Sequence, residues 1–112
     1  MTLARALAQL ASCREAEDDV VAVMDVFGRH PGDTVQVLDV VRQTGLAEDR
    51  AEAILRALVA ALVLDFDGAG GYRYERDVAV EMELRALKDR LRAHREHLQG
   101  NVARFRAHRD LY

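Results

Sequence analysis

Residues 33–76, DTVQVLDVVRQTGLAEDRAEAILRALVAALVLDFDGAGGYRYER, decide how this chain folds. Asp33 with Gln36 three residues on has the spacing of a capping box, so a helix is expected to begin there, with Val37, Leu38 and Val41 on one face. Gly45 is free to take the positive φ that closes a helix, and Leu46 supplies the apolar contact that follows such a cap. A second helix restarts at about Ala47 and lines up Ala51, Ile54, Leu55, Leu58, Val59 and Leu62 as one apolar stripe, with Glu48, Asp49, Glu52, Arg56 and Ala60 outside it. The period then changes from helical to alternating. Leu62, Leu64 and Phe66 alternate with Val63 and Asp65, Gly68–Gly71 is glycine-rich, and Tyr72 and Tyr74 alternate with Arg73 and Glu75, which reads as a β-hairpin.

Working outward, Leu3, Leu7 and Leu10 share a helical face near the start, and Ser12 with Glu15 forms a second capping-box pattern. The helix that follows places Ala16, Val20, Val23, Met24 and Phe27 on one side and Glu15, Glu17, Asp18, Asp19 and Asp25 on the other, where a solvated acidic face is expected. His30-Pro31-Gly32 ends it, because proline removes an N–H and restricts its predecessor. After the hairpin, Asp77 is placed to cap a last helix running to about Leu111, roughly 50 Å long at 1.5 Å per residue. Its apolar positions fall on a heptad: Leu84, Leu91, Leu98, Phe105 and Tyr112 at one seam position, Val80, Leu87, His94, Asn101 and His108 at the other. A lone helix of that length does not cover such a seam. The simplest cover is the same helix of a second copy, and the alternative is that the helix folds back on its own body.

Composition bounds the rest. The 112 residues suit one folded unit with a small aliphatic core, half of them apolar and none tryptophan. Cys13 is the single cysteine, which excludes an intrachain disulfide and suits a reducing cytoplasm. Leu10-Ala11-Ser12-Cys13 has the outline of a lipoprotein signal, but Arg5 and Gln9 interrupt the apolar region such a signal needs. No apolar run approaches the ~20 residues of a membrane span. The net charge of −3 conceals a division: residues 1–84 hold 8 basic against 16 acidic side chains, and residues 85–112 hold 8 against 3.

Nothing in the chain has the pattern of a catalytic set, a phosphate loop or a zinc site, so an enzyme is not expected and neither is a cofactor. His94 and His97, three apart on a helix, have no cysteine or carboxylate partner in sequence and read as seam or surface residues rather than metal ligands. His94 and His108 on the seam carry one expectation of their own, that protonation below about pH 6.5 loosens a helix pair.

Helix, sharp turn, helix and hairpin, carried by QTGLAEDRAEAILRALVAALVLDFDGAGGYRYE, resembles the winged helix-turn-helix superfamily, in particular the bacterial transcription regulators of the IclR, MarR and PadR kinds. The resemblance implies a mainly α fold with a small β-hairpin, a winged helix-turn-helix domain over residues 1–76 with its N-terminal helices, and a coiled-coil-like dimerisation helix over 77–112. It further implies a cytoplasmic homodimeric regulator that sets its second helix in the major groove of double-stranded DNA. Carried over onto this sequence, the contacts are Arg50, Glu52 and Arg56 on the helix and Arg73 and Arg76 on the wing, with Leu84, Leu87, Leu91, His94, Leu98, Asn101 and Phe105 in the dimer interface. Glu48, Asp49 and Glu52 depart from the family, which places Ser, Thr, Arg or Lys there, and carboxylates beside phosphates oppose binding. The rival expectation is therefore a winged helix that has left DNA and docks an acidic or basic protein partner.

Overall fold

The computed structural model describes residues 3–10 and 16–110, with side chains to His97. Helices and strands follow in the order α1 (Leu3–Gln9), α2 (Ala16–Arg29), β1 (Val35–Gln36), α3 (Val37–Thr44), α4 (Glu48–Ala60), β2 (Asp65–Phe66), β3 (Gly71–Arg73) and α5 (Val78–Asp110). The result is a mainly helical body with a small antiparallel sheet and one long C-terminal helix.

The core forms where the helical period brings apolar side chains together. All five residues expected on the inner face of α2 are buried, and Val26 joins them. From α4 come Ala51, Ile54, Leu55, Ala57 and Leu58, from α3 Val40, and from α1 Leu3 and Ala6, with Leu7 and Leu10 packed at the margin. Burying aliphatic side chains of this size contributes about 1.5–3 kcal/mol each, and this is what holds the helices against one another.

The corner between α3 and α4 closes by local chemistry. Gly45 sits at φ 76° and its N–H donates to Val41 O at 2.9 Å. The Thr44 hydroxyl donates to Val40 O at 2.6 Å and accepts from Leu46 N–H at 3.2 Å. A helix ends and the chain redirects within three residues.

Four expectations shift here. The helix expected from Asp33 begins only at Val37, because Val35 and Gln36 pair with β3 instead; its box is set three residues later, Gln36 N–H donating to Asp39 Oδ2 at 3.1 Å. With that start the inward residue is Val40, and Leu38 is 53% exposed. The hairpin is the outer part of a three-stranded sheet of order β1-β3-β2, with Val35 opposite Tyr72 and Phe66 opposite Tyr72 on the other side. Leu62 leaves the α4 stripe altogether. Leu62 N–H donates to Val59 O and Val63 N–H to Leu58 O, the paired closure of a helix end that puts the intervening residue in the left-handed region, so Leu62 stands at φ 62° and 66% exposed while Val63 and Leu64 turn inward.

The sheet is tied by Asp67, whose Oδ1 accepts from Ala69 N–H at 2.7 Å and Gly71 N–H at 3.0 Å; these two bonds hold its carboxyl below the usual carboxylate range. A Cβ on Gly71 would collide with the Asp67 carboxylate and the Thr34 methyl, so a larger residue there must displace the side chain that ties the turn.

Asp77 caps α5 as expected, accepting from Ala79 and Val80 N–H. The seam read on that helix divides. Val80, Leu84 and Leu87 are buried in the protomer's own body, against α1 and α2. Leu84 and Leu87 are therefore withdrawn from any contact with a second copy, since the body already removes them from water. Leu91 is half-buried and His94 exposed; the side chains of Leu98, Asn101 and Phe105 lie outside those described, as do Ser12, Cys13 and Glu15.

Candidate functional site

The outward surface of α4 and the hairpin beside it form the candidate site. The apolar stripe of α4 faces the core, so its polar residues can only face out: Glu48 and Asp49 in the first turn, then Glu52 and Arg56. Two carboxylates at a helix N-terminus sit favourably toward the positive end of the dipole. The hairpin lies alongside. Tyr72 is buried, and its hydroxyl pKa is raised first by desolvation and then by the nearby Glu52 charge, partly offset by Arg56, which puts the middle of α4 next to β3. Phe66 covers Tyr72 with ring centroids 4.9 Å apart and keeps 48% of its surface exposed.

The five residues expected at DNA separate on inspection. Arg50 is turned toward the body: its Nε donates to Asp19 Oδ2 of α2 at 2.5 Å, and the two side chains are 32% and 17% exposed. It clamps α2 to α4, a role that a solvated α2 acid would not have offered. Arg56 pairs with Glu52 at 2.5 Å across one helical turn, and Arg73 with Glu75 at 3.2 Å beside the hairpin; both pairs are largely exposed. Arg76 is exposed just before α5. The structure thus keeps Glu52 and Arg56 together on the outer side of α4, leaves Arg73 exposed on β3, and takes Arg50 out of the set.

Signs on this surface do not favour an anion. Over the end of α3, the outer side of α4 and the hairpin with its flanks, the arginines are Arg42, Arg56, Arg73 and Arg76, and the carboxylates are Glu48, Asp49, Glu52, Asp65, Asp67 and Glu75. Apolar side chains stand among them, Leu62 and Phe66 most exposed near the hairpin.

The acids of α2 keep the solvated face expected of them, Asp19 excepted, and carry ion pairs on it as well. Besides Asp19, Asp25 meets Lys88 Nζ at 2.5 Å, Glu17 meets Arg90 at 2.9 Å and Asp18 meets Arg95 at 3.7 Å. The acidic body and the basic last helix are partners within one chain. Long-range pairs of this sort leave no signature in sequence beyond the opposite sign of the two segments.

Among the described residues no group of His, Cys, Asp and Glu is arranged to hold a metal ion, and no helix is long and apolar enough to cross a membrane. Comparison with protein-family models, curated proteins and solved structures found no match to the chain.

Proposed function

We propose that this chain is a winged-helix module whose α4 and hairpin dock a protein segment rich in Lys and Arg. The winged-helix reading is supported by the order of helix, strand, helix, corner, helix and hairpin, with the β1-β3-β2 sheet beside the second helix of the corner. The docking reading is carried by one observation: where a DNA reader gathers cations, this surface displays Glu48, Asp49 and Glu52 together with exposed Leu62 and Phe66. Affinity for duplex DNA rests on neutralising phosphates and releasing counterions, which a surface with more carboxylates than arginines does not supply. Exposed aromatic and aliphatic side chains ringed by charge suit a protein interface.

The second reading is a DNA-binding regulator acting as a homodimer. It is favoured by Arg56 and Arg73, which project from α4 and the hairpin in largely exposed ion pairs. Such pairs are worth about 0–1 kcal/mol and yield readily to a phosphate.

An NMR titration of the labelled protein decides between the two. An arginine-rich peptide is expected to shift the amides of residues 48–52, 62 and 66 saturably, and the Glu48→Gln/Asp49→Asn/Glu52→Gln triple variant to lose that response. A random-sequence duplex that saturates the shifts of residues 56, 73 and 76 instead establishes the DNA reading.

A further inference from the structure

The long helix α5 has two unlike faces. Inward it buries Val80, Leu84 and Leu87. Outward, Val78 is 78% and Met82 67% exposed, and Arg85, Asp89, Arg92 and Glu96 continue from them at alternating steps of three and four, all exposed. These six residues make one stripe on the side opposite the body. A shallow groove borders it on one flank, with Met82, Arg85 and Arg92 on its outer edge and Leu84 and Lys88 on its inner edge.

Charge use separates this stripe from its neighbours. Lys88, Arg90 and Arg95, which flank the inner face, are each paired with an acid of α2. Among the described residues, Arg85, Asp89, Arg92 and Glu96 form no ion pair within the chain. Read along the helix their signs alternate plus, minus, plus, minus. A second copy laid parallel and in register sets like against like. Laid antiparallel, the order reverses and every position meets its opposite.

We infer that the outer stripe of α5 is a self-complementary surface that pairs two copies of this chain antiparallel about a two-fold axis between Arg90 and Leu91. That register places Arg85 opposite Glu96 of the partner subunit, and Asp89 opposite Arg92 of the partner subunit; the symmetry repeats both pairs. Met82 and Val78 come opposite helix positions held by Gln99 and Ala103, neither of them charged. The overlap is about 39 Å at 1.5 Å per residue. The two bodies lie on opposite sides of the helix pair, because each sits on the inner face of its own α5, and they do not collide. The pairing is isologous, as closed dimers require. It uses the face opposite the Leu84–Leu87 seam and is independent of what α4 docks. With four exposed ion pairs and short apolar ends, the dimer is weak and forms only at high protein concentration.

The test is sedimentation velocity on the full chain across a concentration series, at low and high salt. Wild type is expected to pass from monomer to dimer with concentration, less so at high salt. Arg85→Glu/Arg92→Glu makes the stripe wholly acidic and Asp89→Arg/Glu96→Arg makes it wholly basic. Each double variant alone is expected to self-associate at least about 30-fold more weakly, since four opposite-sign contacts become like-sign ones. Mixing the two restores a dimer, a recovery that misfolding of either variant does not mimic. In a Cys13→Ser background, Arg85→Cys and Glu96→Cys are expected to cross-link to each other and neither to itself. A wild type monomeric at every concentration, double variants that dimerise like wild type, a mixture that stays monomeric, or self-linking of either cysteine variant overturns the inference.

Discussion

Two helices of this protein carry acidic runs of similar density, and they do opposite things. Glu17, Asp18, Asp19 and Asp25 on α2 are all engaged by cations of α4 and α5, whereas Glu48 and Asp49 on α4 look outward and Glu52 meets its helical neighbour Arg56. The first run glues three helices together. The second stands on the outer side of α4, away from the other helices. What separates them is the side of the helix facing the rest of the chain, so a count of acids says nothing about which is structural.

Breaking the first run is expected to have the largest effect. Arg50→Ala leaves Asp19 only 17% exposed and without its guanidinium, and a loss of about 2–3 kcal/mol is expected in chemical denaturation. Next, Lys88→Gln/Arg90→Gln/Arg95→Gln removes three more exposed pairs that bind α2 to α5; about 1–2 kcal/mol in total is expected, shrinking as salt rises, which thermal melts at two ionic strengths will show.

A carboxylate of α5 itself, Glu81, joins that helix to the body through Tyr74, whose hydroxyl donates to it at 2.9 Å. Burial first, then this bond, pushes the Tyr74 pKa from 10.0 up to about 12. A group bound to its proton more tightly in the folded state adds stability that is complete below pH 10 and is lost as pH rises through about 12. Denaturation midpoints should fall across that window, and Tyr74→Phe should lose about 1 kcal/mol at neutral pH while removing this tyrosine's share of the alkaline fall. If the variant's alkaline curve parallels wild type, Tyr74 is not its source.

On the second run the expected effects are small or reversed. Leu62→Gly relieves the left-handed backbone at the end of α4 and is expected to stabilise by about 0.5–1 kcal/mol, read as a higher melting temperature. Glu48→Gln/Asp49→Asn/Glu52→Gln should change stability by no more than about 1 kcal/mol, because the bonds these side chains make, Asp49 to Arg50 N–H and Glu52 to Arg56, lie within α4 and tie it to no other element. A loss of several times that would make the α4 acids structural after all and erase the contrast with α2.

Much of this was readable in the residues because the signals were local. Asp77, Gly45 and the inner face of α2 each rest on a spacing of four residues or fewer, and all three stand as expected. β1 escaped notice because two residues, Val35 and Gln36, carry no period, and their strand exists only through pairing with Tyr72 and Gly71. The destination of Arg50 was hidden for a related reason: Asp19 is 31 residues away, and its approach depends on how α2 packs against α4. The heptad on α5 told correctly that one face must be covered but was silent on what covers it, and for Leu84 and Leu87 the answer is the chain's own body. Leu62 had every mark of an α4 core residue until the helix end placed it outside.

The measurement that bears most directly on the α4 surface is fluorescence anisotropy of a labelled random-sequence duplex, titrated with wild type and with Glu48→Gln/Asp49→Asn/Glu52→Gln at about 50 and 200 mM salt. The account predicts no saturable binding by wild type at the higher salt, and a gain of about tenfold or more at the lower salt for the neutralised triple, since three opposing charges are removed. Saturable wild-type binding at the higher salt, lost on Arg56→Ala or Arg73→Ala, contradicts it.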